Sequence, residues 1–476
     1  MSDIKKGSVL RLRVTDLNNL GAGVARAEDG RVVFVRGAVS GDEIEAQIIK
    51  ASKDFLVGRL LSVKAPSPNR EEGFCEAPNA CGGCVYRHVT YAHELELKRD
   101  YVVHAFRKAG LPDVQVLPVR STGKTKGYRN KAQYPVAKTK EGIRAGFYAA
   151  KSHNLIAAED CQTQNGAFSP IVRAVCAFAE RAGWTVYDEQ TGKGLLRHIY
   201  LRIGEKTGEI LLCLVVNGDR LPLAEEFCRE MTEKFPSLAG ILLNENREKT
   251  NVVLGKRMRP LWGQDCMEDE LCGLRFRIAP DSFYQVNRDG AELLYGLAAE
   301  AAELSGSEVL MDLYCGTGTI GLSMAAKAKR LSGVEIVSSA VVCARENAKR
   351  NGIENAKFFC DDAGNAEVIL RAAGGIRPDV VVIDPPRKGS TKELVETLSS
   401  LGVPKIVYVS CDADTLARDC KWFSEAGYEI GQVQPVDMFP RTGHVESVVC
   451  LKRIFDTDIR RGPVLKPSLV REGGPR

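Results

Sequence analysis

Cys411 is the residue whose type and position could most directly do chemistry. It ends an apolar segment, 405–411, that is typical of a buried strand and stops at an aspartate. A second apolar segment, 309–319, predicts a strand, a glycine turn and a helix start, and such a turn lets the backbone approach a nucleotide-like ligand. A thiol at one strand end and a nucleotide pocket at another indicate covalent chemistry beside a bound cofactor. Because half-buried cysteines are common and usually inert, neither signal is sufficient alone.

A thiolate can activate a pyrimidine ring. Addition of the sulfur to C6 turns the ring into an enolate whose C5 attacks an electrophilic methyl group, and a base must then remove the C5 proton. Glu446 precedes a final apolar strand and is the candidate base, with His444 as a rival that is more simply explained as an orienting or structural residue. A glutamate considered alone is usually a surface carboxylate, so the assignment of Glu446 as the base depends on the presence of Cys411 as the candidate nucleophile.

The cofactor signals form an ordered set. The turn Gly316–Gly318 follows Asp312 and Tyr314, Glu335 ends the next strand about twenty residues on, and Asp361–Asp362 end the third. An acid after the second strand can accept both ribose hydroxyls, and one after the third can address an adenine amino group. The turn lacks the third glycine of the dinucleotide pattern, and the set fits S-adenosylmethionine better than NAD.

The segment Asp384-Pro-Pro-Arg387 follows the fourth strand and bears on the target base. Enzymes that methylate base amino groups usually place an aromatic residue after Pro-Pro, whereas here Arg387 follows. RNA cytosine-C5 enzymes place a cysteine after this type of turn, and none is present. The sequence therefore argues against amino methylation and against cytosine as the target.

Three cysteines, Cys75, Cys81 and Cys84, have the spacing C-x5-C-x2-C, and Cys161 could complete a set of four. Four thiolates suit either tetrahedral zinc or a [4Fe–4S] cluster. Zinc sites more often use two C-x2-C pairs, so three clustered ligands plus a distant one favour iron–sulfur. The alternative is that these are unrelated buried thiols. It is less favoured because the loop has few apolar residues that would account for three buried cysteines.

A strongly basic stretch spans residues 120–151. It holds nine cations against the single acid Glu141, a local charge of +8, although the whole chain carries only +5. The nine are Arg120, Lys124, Lys126, Arg129, Lys131, Lys138, Lys140, Arg144 and Lys151. Four aromatic residues lie between them, namely Tyr128, Tyr134, Phe147 and Tyr148. Cations interleaved with aromatic rings favour phosphate contact with base stacking over a merely solvated charged face.

The chain divides into four predicted parts. Residues 1–64 carry five short alternating segments, as in an oligonucleotide-binding (OB-fold) barrel. Residues 65–275, after a Pro-rich linker, mix helices and strands (a mixed α+β central domain). Residues 276–453 alternate helix and strand, which predicts an α/β doubly wound, Rossmann-like sheet. Residues 454–476 predict a flexible basic tail.

Composition sets the outer limits. A chain of 476 residues exceeds one comfortable core, so about two to three domains are expected. No apolar run reaches the roughly 18 residues needed to span a bilayer, and the N-terminus lacks the apolar core of a secretory signal. A cytoplasmic protein is therefore expected, with its 15 cysteines present as thiols, metal ligands or catalysts. Nothing indicates a membrane, an obligate protein partner or an obligate oligomer, so a monomer is expected.

Taken together, these motifs make the chain resemble the RNA uracil-5-methyltransferases, and most closely the bacterial 23S ribosomal RNA members. The resemblance covers nearly everything except the tail. It is carried by the N-terminal barrel (the TRAM domain of that family), the cysteine cluster, the segment 282–287, Asp312-Leu-Tyr-Cys-Gly316, Asp384-Pro-Pro-Arg-Lys-Gly389, Ser410-Cys411 and His444-Val-Glu446.

The resemblance implies a role for each matching residue. Cys411 would be the nucleophile and Glu446 the base. The S-adenosylmethionine contacts would be Gln285, Tyr314, Glu335 and Asp384, with Thr319 and Asp362 at further cofactor-lining positions. A [4Fe–4S] cluster, with a structural role, would be held by Cys75, Cys81, Cys84 and Cys161. The barrel and the basic stretch would grip folded ribosomal RNA and splay out a uridine for conversion to 5-methyluridine.

Two alternatives and one departure accompany the resemblance. The alternatives are a transfer RNA uridine-C5 methyltransferase and a non-catalytic RNA-binding iron–sulfur protein; intact Cys411, Glu446 and Asp384 argue against the latter. The departure is Asp412-Ala413, where the family usually has Asn-Pro, and it adds a charge and removes a proline beside the nucleophile.

Overall fold

A computed structural model describes residues 4–75, 81–150 and 152–454 of the chain. The loop between Cys75 and Cys81, Lys151 of the basic stretch, and the predicted basic tail from residue 455 onward lie outside the described residues.

The N-terminal part is a closed barrel of five strands in the order β1-β2-β3-β5-β4. The strands are β1 (Val9–Leu17), β2 (Ala22–Arg26), β3 (Val32–Arg36), β4 (Glu43–Ala51) and β5 (Phe55–Ala65). Buried and exposed positions alternate along β3 and β4, so that Val33 and Val35 point into the barrel core. The structure thus confirms the five strands and the barrel that the alternating segments predicted.

The middle part is built on a seven-stranded sheet in the order β12-β11-β10-β9-β6-β7-β8. Its strands are β6 (Lys131–Thr139), β7 (Gly142–Tyr148), β8 (Leu155–Ala157), β9 (Leu196–Ile203), β10 (Ile210–Val216), β11 (Leu238–Glu245) and β12 (Arg257–Gly263). The helices of this part are α1 (Tyr91–Lys108), α2 (Phe168–Arg181) and α3 (Ala224–Lys234). Buried side chains of α2 and α3 form one apolar core with the sheet.

The C-terminal part holds a second seven-stranded sheet, in the order β17-β16-β15-β18-β19-β21-β20. Its strands are β15 (Val309–Leu313), β16 (Arg330–Glu335), β17 (Ala356–Cys360), β18 (Val380–Ile383), β19 (Lys405–Ser410), β20 (Tyr428–Val436) and β21 (Glu446–Arg453). The first five in spatial order are parallel, and β21 pairs antiparallel with both of its neighbours. The strand order reverses between β15 and β18, which is where such sheets bind ligands.

Helices and a hairpin surround this sheet. The hairpin comprises β13 (Met267–Leu271) and β14 (Leu274–Ile278). The helices are α4 (Arg288–Ala302), α5 (Thr319–Met324), α6 (Ser338–Arg350), α7 (Ala366–Ala372), α8 (Lys392–Ser400) and α9 (Ala413–Glu425), with a short 3-10 helix at Ala325–Lys327. Two apolar cores, one on each face of the sheet, hold them in place. Among the described helices, none combines the length and the apolar character that crossing a membrane requires.

Helix α1 packs against the C-terminal sheet although it lies early in the chain. Its buried residues Val102 and Phe106 belong to the same apolar core as α9 and β19. The segment after the helix continues this attachment, because Val116 and Arg120 bridge to β20. The predicted division at residues 275 and 276 remains a prediction, and α1, although it comes before the middle sheet in the chain, packs against the C-terminal sheet.

Candidate active site

Cys411 and Glu446 lie opposite each other at the carboxyl edge of the C-terminal sheet. Strands β19 and β21 are antiparallel, and their pairing ends with Ser410 opposite Ser447. Cys411 is the next residue after Ser410, and Glu446 is the residue before Ser447, so the register brings them together across the ladder. The thiol is half-buried and the carboxyl group is buried. The sequence placed both residues at strand ends, and their direct juxtaposition follows from β21 running antiparallel.

The pKa values at this edge are coupled through charge. Burial, followed by the nearby Glu446 and Asp384, raises the pKa of the Cys411 thiol to about 11, while Arg387 lowers it. Burial and then Asp384 raise the pKa of Glu446 to about 8, and Arg387 again acts in the lowering direction. Burial alone raises the pKa of Asp384 to about 7. Strongly shifted groups that face one another in this way are typical of functional sites.

Asp412, the departure noted in the sequence, caps the helix that follows the thiol. Its Oδ1 accepts a hydrogen bond from the backbone N–H of Thr415 at 3.0 Å, and α9 begins at the next residue, Ala413. A carboxylate at this position also complements the partial positive charge of the helix N-terminus. The aspartate therefore has a structural reason to be there, which the sequence comparison with the family did not supply.

Glu335 organises the glycine turn at the end of β15. Its Oε2 accepts from the Gly316 N–H at 3.1 Å and its Oε1 accepts from the Val337 N–H at 2.9 Å. Tyr314, two residues before Gly316, has a positive φ of 61°, which a non-glycine residue adopts only when its surroundings hold it there. The predicted turn and acid thus form one unit.

Asp312 lies beneath this turn and is fully buried. Its Oδ2 accepts from the Gly321 N–H at 2.9 Å, whereas its Oδ1 has no hydrogen-bond partner among the described residues. Burial raises its pKa to about 7. Of the further cofactor positions, Thr319 is buried with its Oγ1 at 3.1 Å from the Tyr295 hydroxyl, and Asp362 is exposed with its Oδ1 accepting from the Gly364 N–H.

Gln285 is held by the middle sheet, a support that the sequence did not indicate. The side chain of Asn130, just before β6, donates to the Gln285 carbonyl at 2.9 Å, and the Asn130 N–H donates to the Val286 carbonyl. Arg202 of β9 is fully buried and donates to the Ala279 and Ser282 carbonyls. These contacts join residues about 75 to 155 positions apart, for which no local pattern exists.

The four predicted cluster cysteines line one cavity of about 1200 Å³, and Cys411 lines the same cavity. Burial, then the thiols of Cys161, Cys81 and Cys75 in that order, raise the pKa of Cys84 to about 12, so the four sulfurs are near enough to influence one another. Within the part of the chain that the structure describes, no three potential ligands converge at the distances a single metal ion needs.

The basic stretch corrects one sequence interpretation. Tyr128 and Tyr134, expected to stack on bases, are fully buried; Tyr128 donates its hydroxyl proton to the Pro440 carbonyl. Tyr134 lies in the core beneath the middle sheet. The predicted stacking role of Tyr128 and Tyr134 is therefore wrong. When cations flank an aromatic ring in the sequence, the local pattern does not show which face of the strand points inward.

The charge of the stretch is also partly neutralised. Ion pairs join Lys138 to Glu180, Arg144 to Glu159, and Lys124 to both Glu205 and Asp289. All of these acids lie outside the stretch, so the local count of +8 overstates the charge that reaches solvent. Of the eight cations of the stretch that the structure describes, four are exposed, namely Arg120, Lys126, Lys138 and Lys140, and Lys138 is the one of these that is paired with Glu180.

A buried ionic network supports the loop that leads to Glu446. The Lys98 ammonium of α1 donates to Glu94 and to Asp437, each at 2.7 Å, and Glu94 also accepts from the Arg441 N–H. Arg441 has a positive φ of 71° and its guanidinium lies over the ring of Phe74 at 4.5 Å. The sequence gave no signal for this network, because a lysine, two acids and an arginine at such spacings look like ordinary surface charge.

Comparison with known proteins supplies the family. Residues 268–454 match the family model described as tRNA (uracil-5-)-methyltransferase, and residues 4–61 match the TRAM domain. A Clostridium tetani protein named as an uncharacterized RNA methyltransferase is 42% identical over 450 residues, which are 94% of this chain and 97% of that protein. The chain belongs to the TRAM-containing RNA (uracil-5-)-methyltransferase family. A similarly named protein of Clostridium acetobutylicum is 40% identical over 95% of the chain and 98% of its own length.

Among solved structures, this uracil-5-methyltransferase resembles the Pyrococcus abyssi tRNA (uracil-54, C5)-methyltransferase in complex with S-adenosyl-L-homocysteine. The TM-score is 0.75 at 28% identity, over 93% of this chain and 99% of the other. The match confirms the predicted doubly wound methyltransferase fold, and the closed barrel agrees with the TRAM prediction. The enzyme is S-adenosylmethionine-dependent, and its substrate is RNA, as the sequence predicted.

Proposed function

We propose that the enzyme methylates C5 of a uridine in 23S ribosomal RNA through a covalent adduct between Cys411 and C6 of the base. The observation that carries this proposal is the register of β19 and β21, which sets Cys411 opposite Glu446 at the carboxyl edge of the sheet. A nucleophile and a base that face each other can act in sequence on adjacent ring carbons. Asp384, at the end of the neighbouring strand β18, completes this edge.

The residues divide the chemistry between them. The Cys411 thiolate forms a bond to C6, and the electron pair of the C5–C6 double bond moves toward the C4 carbonyl oxygen. When bound, S-adenosylmethionine would supply an electrophilic methyl group to C5, with the methyl–sulfur bond breaking and S-adenosylhomocysteine as the leaving group. Glu446 as carboxylate then removes the C5 proton, the C6–sulfur bond breaks, and the thiolate is released. Arg387 favours the ionised forms of both Cys411 and Glu446, because it lowers both pKa values.

We assign the cofactor to the crevice between β15 and β18. Glu335 and the turn it organises would hold the ribose end, with Asp362 beyond it. Gln285, Tyr314 and Asp384 would hold the methionine end, and Thr319 would line the crevice from α5. The fixed position of Gln285 and the constrained backbone of Tyr314 support this assignment, because a rigid site binds with less loss of entropy.

We also propose that Cys75, Cys81, Cys84 and Cys161 hold a [4Fe–4S] cluster. In support, the four thiols line one cavity, and burial together with the other three thiols raises the pKa of Cys84, so a cationic iron centre would offset the cost of ionising that thiol. Iron content and visible absorption after anaerobic purification should fall in Cys84→Ser and stay unchanged in Cys360→Ser, whose thiol is exposed elsewhere.

The alternative substrate is transfer RNA, and one observation favours it. The match to the Pyrococcus abyssi tRNA (uracil-54, C5)-methyltransferase covers 93% of this chain, including the barrel and the middle sheet, so these parts do not by themselves select ribosomal RNA. Ribosomal RNA stays the proposal because the motif set resembles the bacterial 23S members most closely. Mapping of 5-methyluridine in both RNA classes after reaction with the enzyme separates the two.

The decisive test uses 5-fluorouridine, since fluorine at C5 blocks the final proton removal and traps the adduct. The wild-type enzyme with S-adenosylmethionine and fluorinated ribosomal RNA fragments should give a denaturant-stable protein–RNA complex. Cys411→Ala should give none while still binding S-adenosylhomocysteine, and the matched variant Cys360→Ala should behave as wild type. Normal methylation by Cys411→Ala would refute the nucleophile assignment.

A further inference from the structure

The barrel contributes a wall of the catalytic cavity. The loop between β1 and β2, residues 18–21, lines the cavity at Asn19 and Leu20, together with Cys411 and His444. Leu20 is 67% exposed, which is unusual for a leucine at the mouth of an active site. An isolated exposed leucine needs no explanation in general, so the argument depends on how this one is held.

The loop is rigid. The Asn18 Oδ1 accepts hydrogen bonds from the Leu20 N–H at 3.1 Å and the Ala22 N–H at 2.9 Å, which fixes the turn from within. The Asn18 carbonyl accepts from the Tyr86 hydroxyl at 3.1 Å, which fixes it to the segment after the cysteine loop. Gly21 has a positive φ of 71°, a conformation that strains any other residue.

The loop also makes two close backbone contacts, one with the segment after Cys84 and one with the segment before His444. A Cβ atom at Gly21 would lie 2.3 Å from the Val85 carbonyl oxygen, and Val85 follows Cys84. A Cβ atom at Gly443 would lie 1.8 Å from the Asn19 carbonyl oxygen, and Gly443 precedes His444. Glycine is therefore required at position 21, where the Val85 carbonyl approaches, and at position 443, where the Asn19 carbonyl approaches. These contacts hold Leu20 at a fixed position beside the proposed catalytic residues.

We propose that Leu20 is a specificity contact on which the nucleotide next to the target uridine packs when the target enters the cavity. This inference rests on the proposed function, because extrusion of a base leaves its neighbour with one unstacked face. Proteins that unstack bases commonly fill that face with an apolar side chain. Cations that line the same cavity can contact the adjoining phosphates: Lys126, Arg129, Arg144 and Arg387.

The kinetic test compares two leucines of the same barrel. Leu61 is 47% exposed on β5 and does not line the cavity, so Leu61→Ser controls for loss of apolar surface on the barrel. Leu20→Ser should lower kcat/KM for RNA methylation about tenfold, equivalent to about 1.4 kcal/mol, with unchanged affinity for S-adenosylhomocysteine. Leu61→Ser should leave both quantities unchanged. Equal kcat/KM values for the two variants would overturn the proposal.

A photo-cross-linking test locates the contact independently of the chemistry. The full-length enzyme carrying p-benzoylphenylalanine at position 20 should cross-link to nucleotides adjacent to the methylated base, whereas the same group at position 61 should not. Cross-links from position 20 that map far from the methylated base, or none at all, would overturn the role of Leu20. Methylation of a base other than uridine would instead refute the proposed function, and cross-links beside that base would still support the contact.

Discussion

Replacement of Arg387 by glutamine should slow methyl transfer most at neutral pH. Arg387 is the exposed cation that acts to lower the pKa of both Cys411 and Glu446. Its removal raises both pKa values, so fewer molecules hold the thiolate and the carboxylate at a given pH. The loss of rate should therefore shrink as the pH rises and Glu446 becomes ionised without help.

The magnitude follows from the pKa of Glu446, which is about 8 in the folded enzyme. At pH 7 about one tenth of this carboxyl group is ionised. An exposed charge near a buried one contributes roughly 0.5–1 kcal/mol, or about half a pKa unit after solvent screening. Half a unit lowers the ionised fraction about threefold for Glu446 and about threefold for Cys411, whose pKa is about 11. Together they predict about a tenfold loss at pH 7 and about a threefold loss near pH 9.5.

The measurement is a single-turnover methyl-transfer rate at saturating RNA and cofactor between pH 6.5 and about pH 9.5. Saturation separates the electrostatic effect on the chemical step from any loss of phosphate binding. Lys388→Gln is the matched control, because it removes a neighbouring exposed charge of the same loop that does not line the cavity. A loss in Arg387→Gln that is independent of pH, or is matched by Lys388→Gln, would refute the reasoning.

Three further outcomes are expected. Asp412→Ala should lower the free energy of unfolding by about 1 kcal/mol in a denaturant titration because it removes the α9 cap, and Asp412→Asn should restore it. Asn130→Ala should weaken S-adenosylhomocysteine binding about tenfold in calorimetry, since a buried hydrogen bond that fixes Gln285 is lost; Asn246→Ala, which removes an equally buried amide elsewhere, should not. Asp384→Asn should raise the free energy of unfolding by about 1–2 kcal/mol at pH 8.5 and have little effect at about pH 3.5. Burial raises the pKa of this carboxyl to about 7, so at about pH 3.5 the group is largely neutral in the folded and unfolded states, whereas at higher pH it ionises more readily in the unfolded chain, and the cost to the folded state grows until about pH 7; equal effects at both pH values would contradict it.

The sequence predicted what depends on local pattern and on the geometry of parallel sheets. Glu335, Asp384 and Cys411 each end a strand, and the carboxyl ends of parallel strands meet at one edge, so their common location followed from the order of elements. The barrel followed from alternating burial in five short segments. Both inferences need only the period of the pattern and the position of its breaks.

The remainder depends on contacts that no local pattern encodes. The hydrogen bond from Asn130 to Gln285 spans 155 residues, and Arg441 meets Glu94 across 347. Tyr134 was expected to stack on bases because it lies among cations in the sequence, yet its side chain lies in the core. Charge near an aromatic residue in sequence carries little information about which face of a strand the ring occupies.

The antiparallel pairing of β21 with β19 determines what can change the relative position of Cys411 and Glu446, the proposed catalytic pair. Because Cys411 and Glu446, the proposed nucleophile and base, adjoin the last pair of one hydrogen-bonded ladder, their separation is set by the β19–β21 pairing and does not depend on the barrel or the middle sheet. This dependence on one pair of strands also makes the arrangement sensitive to a change in their register. A slip of one residue between β19 and β21 would set Val445 or Ser447 opposite Cys411 and abolish proton removal without disturbing the cofactor crevice.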